Sequence, residues 1–249
     1  MREKILLVGH GSRSVAGNQE IEKFAGQWRN RNREWDIDLC FIELADILIA
    51  EGLEQAAQSA EKIIVVPLIL NAAGHVKEEI PEFISEAAEK FQDREFRYAK
   101  HLGVNDKILD ILKRSLHNVL ADMESPDPAK TGVVLLARGS SDRHANGEMA
   151  MMARWLYEES EVKQVELAFT GITSPKLEDV VQRQMAAGMT HVAILPYYLF
   201  TGTLIERIRG QVEKLRKEFP EVEFGLGNYF GFENEIFDLL DQRVIEAQR

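Results

Sequence analysis

The stretch Leu6-Leu7-Val8-Gly9-His10-Gly11-Ser12 decides the fold, because Val134-Leu135-Leu136-Ala137-Arg138-Gly139-Ser140 repeats its pattern 128 residues later. The same offset carries Leu102-Gly103-Val104-Asn105 onto Phe230-Gly231-Phe232-Glu233. Within one residue of that offset, Pro67 meets Pro196 and Gly74-His75-Val76 meets Gly202-Thr203-Leu204. One register held over so many marks is a duplication followed by divergence. The first copy opens with an apolar run closed by Gly9, then sets Ile21, Phe24, Ala25 and Trp28 at helical spacing. Further strands are predicted near 37–43, 62–67 and 96–101, with helices near 15–33, 49–60, 76–90 and 105–121. Ser125-Pro126-Asp127-Pro128-Ala129-Lys130, with two prolines, suits a linker. Beyond it strands are predicted near 132–137, 164–170, 191–196 and 222–229. This alternation predicts an α/β protein of two similar domains, residues 1–124 and 131–249, each a parallel sheet flanked by helices.

At 249 residues, 45% hydrophobic and 29% charged, the chain has the composition of folded domains and not of disorder. Acidic residues outnumber basic ones 41 to 30, for a net charge of −11. Nothing in that balance favours nucleic acid or an anionic membrane, so an acidic substrate must be met by local cations. No apolar run approaches the ~20 residues that span a bilayer, and the opening run is too short for a signal peptide; a cytoplasmic location is expected. Cys40, the single cysteine, has no partner for an internal disulfide and is expected to be a buried, inert thiol in a strand. Because one chain already supplies two pseudo-equivalent halves, a monomer is the expected state.

Ligands of open α/β sheets bind beyond the carboxyl ends of the strands. His10 follows the first strand, Glu43 ends the second, and His75 lies in the loop after the third. Two imidazoles and a carboxylate suit a divalent first-row metal held with open positions, and they also suit proton transfer. Taken singly each residue is ordinary, since a loop histidine is most often solvated and a strand-end glutamate a surface charge. The second copy has Arg138, Gly171 and Thr203 at the matching positions, so all three groups are absent together. That pattern predicts one active and one retired half. Arg13 and Lys77 flank the proposed ligands, while Arg138, Arg143 and Arg207 occupy related places in the second half; Ser12 could also receive an anion. His101, expected to close strand four, and His117, His144 and His191 are expected to be structural or solvent-facing.

The segments Leu6 to Arg13, Phe41-Ile42-Glu43-Leu44-Ala45 and Gly74-His75-Val76-Lys77-Glu78-Glu79-Ile80-Pro81 together resemble the signatures of the sirohydrochlorin chelatases. The second half resembles the degenerate repeat of the two-domain members, completing the substrate cleft. The resemblance implies insertion of Co2+ or Fe2+, with Ni2+ a further candidate, into sirohydrochlorin without an organic cofactor. It implies that His10 and His75 bind the metal and assist deprotonation, and that Glu43 assists at the same site. Ser12, Arg13, Lys77 and Arg138 are the expected contacts for substrate carboxylates. Two other readings share these residues: a non-catalytic carrier of metal or tetrapyrrole, and a protoporphyrin ferrochelatase, whose substrate would require a more apolar cleft. A nucleotide-phosphate loop fits neither glycine-motif spacing.

Overall fold

The structure, a computed structural model, describes residues 2–249. The first sheet contains β1 (Glu3–Gly9), β2 (Ile37–Phe41), β3 (Lys62–Pro67) and β4 (Glu95–Tyr98), all parallel, in the order β2-β1-β3-β4. The second contains β5 (Thr131–Ala137), β6 (Gln164–Phe169), β7 (His191–Pro196) and β8 (Glu223–Leu226) in the corresponding order β6-β5-β7-β8. The connections are α1 (Val15–Arg31), α2 (Ile49–Ser59), α3 (Ile80–Lys90), α4 (Asp106–Ala121), α5 (Arg143–Glu158), α6 (Leu177–Ala186), α7 (Thr203–Glu218) and α8 (Asn234–Gln248). The predicted duplication is therefore visible strand by strand. Strand four ends at Tyr98, earlier than expected, so His101 lies in the loop beyond it.

Both central strands, β1 and β5, are buried almost from end to end. That is why they read as continuous apolar runs without alternation: a parallel strand packed on both faces has no wet side. In the first sheet Leu6, Val8, Ile63 and Val65 face Leu53, Ala56 and Ala57 of α2 and Ile80 of α3. The pleat turns Ile5, Leu7, Ile64 and Val66 to the opposite face, where α1 and α8 lie. Cys40 is fully buried in β2, and burial pushes its thiol well above the ordinary range, as expected of an inert residue.

The compact units are not the two linear copies. One comprises the chain as far as Gly103 together with Phe232–Arg249, and the other Val104–Gly231. Helix α4, which follows β4 in sequence, packs on β7, β8 and α5, whereas α8 packs on β3 and β4 of the first sheet. The docking of α8 is specific. Phe237 stacks on the buried ring of Phe24 at 4.2 Å, and Asp241 accepts hydrogen bonds from Trp28 Nε1 at 2.7 Å and Asn32 Nδ2 at 2.9 Å. Arg243 donates to the carbonyls of His101 and Leu102, which secures the loop after β4.

Removing the Asp241 carboxylate leaves the buried Trp28 and Asn32 donors unmatched, which costs about 1–3 kcal/mol. Asp241→Ala is therefore expected to lower the urea midpoint clearly. Asp238→Ala, which removes an exposed ion pair with Arg31, is expected to cost under ~1 kcal/mol.

Candidate functional site

The candidate site lies in the first unit, where backbone pairing continues past the end of β1. Ile42 N donates to Gly9 O at 2.9 Å and Glu43 N to His10 O at 3.1 Å, while Leu68 N, just past β3, donates to Val8 O at 2.9 Å. Gly11, at φ +89°, brings the chain so close to this seam that a Cβ there would stand 1.6 Å from Glu43 O. Only glycine fits. Asn18 of α1 holds the loop from its other side, accepting from Ser12 N at 2.8 Å and donating to Ser12 O at 2.9 Å and Leu44 O at 3.1 Å. The Ser12 hydroxyl accepts from Ser14 N at 3.0 Å, and Ser14 caps α1 through Gly17 N. Both serines thus serve the loop, and Ser14 is the cap of α1.

His75 is held differently. It opens a single π-helical turn, His75–Glu79, that runs into α3. Tyr98 at the end of β4 donates its hydroxyl to Val76 O in that turn at 2.9 Å, and burial holds the Tyr98 phenol well above its ordinary range. A π turn of this kind sits at functional positions because it re-aims a side chain without ending the helix.

These supports bring His10 Nε2 and His75 Nε2 to 3.1 Å, with the rings edge to face at 84°. The partners of the opposite nitrogens settle the tautomers. His10 Nδ1 is 3.0 Å from Gly11 O and His75 Nδ1 is 2.9 Å from Glu79 Oε2. Both partners are acceptors only, which assigns the hydrogen of a neutral ring to Nδ1 and turns its Nε2 lone pair toward the other ring. Two lone pairs at this distance repel unless a cation lies beside both. Nitrogens ~2.1 Å from one metal at cis angles of 90–109° stand about 3.0–3.4 Å apart, which matches the observed separation.

A carboxylate stands behind each ring: Glu79 against His75, and Glu43 with its Oε1 3.8 Å from His10 Nδ1. Glu43 therefore lies on the far side of His10 from the paired Nε2 atoms. Among the described residues no group of three His, Cys, Asp or Glu side chains is arranged to hold a metal. A metal held by this pair alone would keep its other positions open.

Arg13 and Lys77 are exposed in the same unit, and Arg138 is exposed after β5 in the other. His117 falls in α4, His144 opens α5 and His191 starts β7, outside this site. Sequence reasoning missed Glu79 and Tyr98. Glu79 stands four residues after His75, the spacing that puts two side chains on one helix face, and that signal was available. Nothing in the sequence marks Tyr98. The exposed apolar residues Val15, Leu44, Ile47 and Leu48 were also unforeseen; they lie in or next to the loops that carry His10 and Glu43. Leu44 and Ile47 both have positive φ, near 60°, a conformation that costs a non-glycine residue of order 1–2 kcal/mol and here keeps apolar side chains in solvent.

The CbiX family pattern matches the chain twice, over residues 4–119 and 132–247. A sirohydrochlorin cobaltochelatase of Priestia megaterium is 35% identical over 98% of this chain and 80% of its own length. A sirohydrochlorin ferrochelatase of the same organism is 31% identical over 97% of this chain and 89% of its own. Among solved structures, SirB from Bacillus subtilis with Fe3+ superposes with a TM-score of 0.85 at 31% identity, covering 99% of this chain and 96% of that one.

A carboxylate behind a ligating histidine commonly governs metal affinity by 10- to 100-fold, by fixing the ring and raising its basicity. Glu79→Ala is expected to weaken Co2+ binding by about that factor in a direct metal titration, with Glu79→Gln, which keeps an acceptor, falling between.

Proposed function

The chain belongs to the CbiX family, and from that premise we propose that it is a sirohydrochlorin chelatase whose first unit transfers a divalent metal to the macrocycle in exchange for two protons. The observation that carries this reading is the pair of Nε2 lone pairs 3.1 Å apart, each backed by a carboxylate. Metal insertion releases two pyrrole protons, and two neutral imidazoles can hold the incoming ion and afterwards take one proton each. The charge at the pair is +2 before the exchange, as metal, and +2 after it, as two imidazoliums. No charge has to be created in the site as the metal leaves. Glu79 and Glu43 stabilise the imidazoliums that form and orient the rings throughout.

The surroundings suit an amphipathic disc. Val15, Leu44, Ile47 and Leu48 offer apolar contact for a macrocycle face, which a site for metal alone would not need. Sirohydrochlorin carries eight carboxylates at its edge, and Arg13, Lys77 and Arg138, with the loop of Ser12, are the groups proposed to meet them. A protoporphyrin ferrochelatase is less well supported, because that substrate has two carboxylates and no use for so many exposed cations. Cobalt and iron are the favoured metals, with nickel as a third, since an open imidazole pair discriminates little among them. Among the described residues no helix is long and apolar enough to cross a membrane. A cytoplasmic location and a monomeric enzyme complete the reading.

Anaerobic absorbance assays with sirohydrochlorin and Co2+, Fe2+ or Ni2+ at substoichiometric protein test it. Multiple turnovers are expected, reduced to near the uncatalysed rate in His10→Ala and in His75→Ala, slowed in Glu43→Gln, and unchanged in His144→Ala. Stoichiometric binding without turnover would make the protein a carrier, and equal activity in all four variants would remove the histidine pair from the mechanism.

A further inference from the structure

The retired half keeps a site of opposite character at the ends of its strands. Arg138 follows β5 as His10 follows β1, and at the same offset Arg207 in α7 takes the position of Glu79. Imidazole and carboxylate are thus replaced by two guanidiniums. We propose that Arg138, Arg207 and the Tyr198 hydroxyl form an anion site of the second unit that binds carboxylate. The proposal rests on the chelatase reading only in assigning that carboxylate to the acid side chains of the tetrapyrrole.

Three observations carry it. First, neither the Arg138 nor the Arg207 guanidinium has an ion-pair or hydrogen-bond partner among the described residues. Four other arginines of the same unit are paired. Arg154, Arg183, Arg209 and Arg216 pair with Glu158, Glu166, Glu206 and Glu213. Glu206 precedes Arg207 in α7 yet pairs with Arg209.

Second, the backbone at Arg138 is braced against a position that carries no side chain. Gly171 N donates to Arg138 O at 2.8 Å, tighter than the 3.1 Å between Glu43 and His10, and a Cβ at 171 would stand 2.4 Å from that oxygen. The glutamate of the first half is therefore sterically excluded here, and with it the charge that would neutralise Arg138. Lys176 donates to Gly171 O and Thr173 O, so this cation braces the loop and is not available to a ligand.

Third, Tyr198 joins both guanidiniums in one field. Its hydroxyl lies 2.6 Å from Thr170 Oγ1, which is itself 3.4 Å from Ala137 O beside Arg138. The charges of Arg138 and Arg207 both favour the ionised phenol, but burial outweighs them and its pKa is pushed up to about 12. The phenol therefore keeps its hydrogen at neutral pH, and it can offer that hydrogen to a ligand when Thr170 turns its own toward the Tyr198 oxygen. Two guanidinium forks and a hydroxyl are the donor set that a carboxylate takes.

The test compares wild type with the double variant Arg138→Gln/Arg207→Gln, its Lys/Lys counterpart, and Arg209→Gln as control. Sirohydrochlorin binding is measured without metal by absorbance titration, tricarballylate binding by calorimetry, and Co2+ binding alone. Each guanidinium is expected to contribute about tenfold, so the double variant binds sirohydrochlorin roughly 100-fold more weakly and loses the tricarballylate heat. Its Co2+ affinity and melting temperature stay at wild-type values, the Lys/Lys variant recovers part of the affinity, and Arg209→Gln behaves as wild type. Unchanged sirohydrochlorin and tricarballylate binding in the double variant would overturn the proposal while leaving the chelatase reading intact. A wild type that inserts no metal, yet binds tricarballylate in a way the double variant does not, would retire the chelatase reading and keep the anion site.

Discussion

The pairing that continues beyond the last residue of β1 is the constraint on which the first unit's chemistry depends. Gly9 O and His10 O accept from Ile42 and Glu43 on one side, and Val8 O accepts from Leu68 on the other. A central strand whose final carbonyls are used by both neighbours cannot let its terminal loop drift. His10 is fixed between the two segments that supply Glu43 and, a few residues past β3, the turn of His75. Gly11 is the steric condition for that seam, and Asn18 ties its far side to α1. In the second unit the same seam survives between Arg138 and Gly171, and Asn146 clasps Ser140 as Asn18 clasps Ser12. The frame was conserved across the duplication and the residue types upon it were exchanged.

That exchange divides the charge sensibly. A metal on its way to a macrocycle needs neutral nitrogen bases with carboxylates behind them. A polycarboxylate needs guanidiniums without carboxylates near them. The two demands conflict in one small site, because Arg138 beside Glu43 would form an ion pair and neither would be available. On the proposed assignment two copies of one frame meet each demand apart, and the steric exclusion of a side chain at Gly171 bars a glutamate there.

Much of this was legible in the sequence, for reasons that can be named. Buried parallel strands read as continuous apolar runs, so all eight fell near their expected places, and the proline-containing segment at 125–130 separated the copies. His10, Glu43 and His75 were found because they follow the first three strands, although β2 ends at Phe41, two residues before Glu43, and their joint replacement in the second copy raised them above ordinary surface residues. Their proposed roles rest on chemistry and on the family. Glu79 was within the quoted signature but went unused, because its value depends on the direction in which His75 points. The π turn and Tyr98 had no signal at all, since a helical pattern does not reveal one inserted residue and a strand-end tyrosine is usually packing.

The sequence by itself determined the duplication, the order of strands and helices, and the types of residue at each strand end, because these follow from local periodicity and from residues matched at a fixed offset. Tertiary structure alone decided which helix covers which sheet. Helices α4 and α8 are both amphipathic and both follow the fourth strand of a copy, so nothing local distinguishes a helix that returns to its own sheet from one that packs on the other. The choice is made by contacts far apart in sequence, the Asp241 carboxylate against Trp28 and Asn32 and the ring of Phe237 on Phe24. Tertiary structure likewise decided the 3.1 Å approach of the two Nε2 atoms and the lack of an ion-pair partner for the Arg138 and Arg207 guanidiniums among the described residues. Both are matters of direction and distance, which periodicity does not encode.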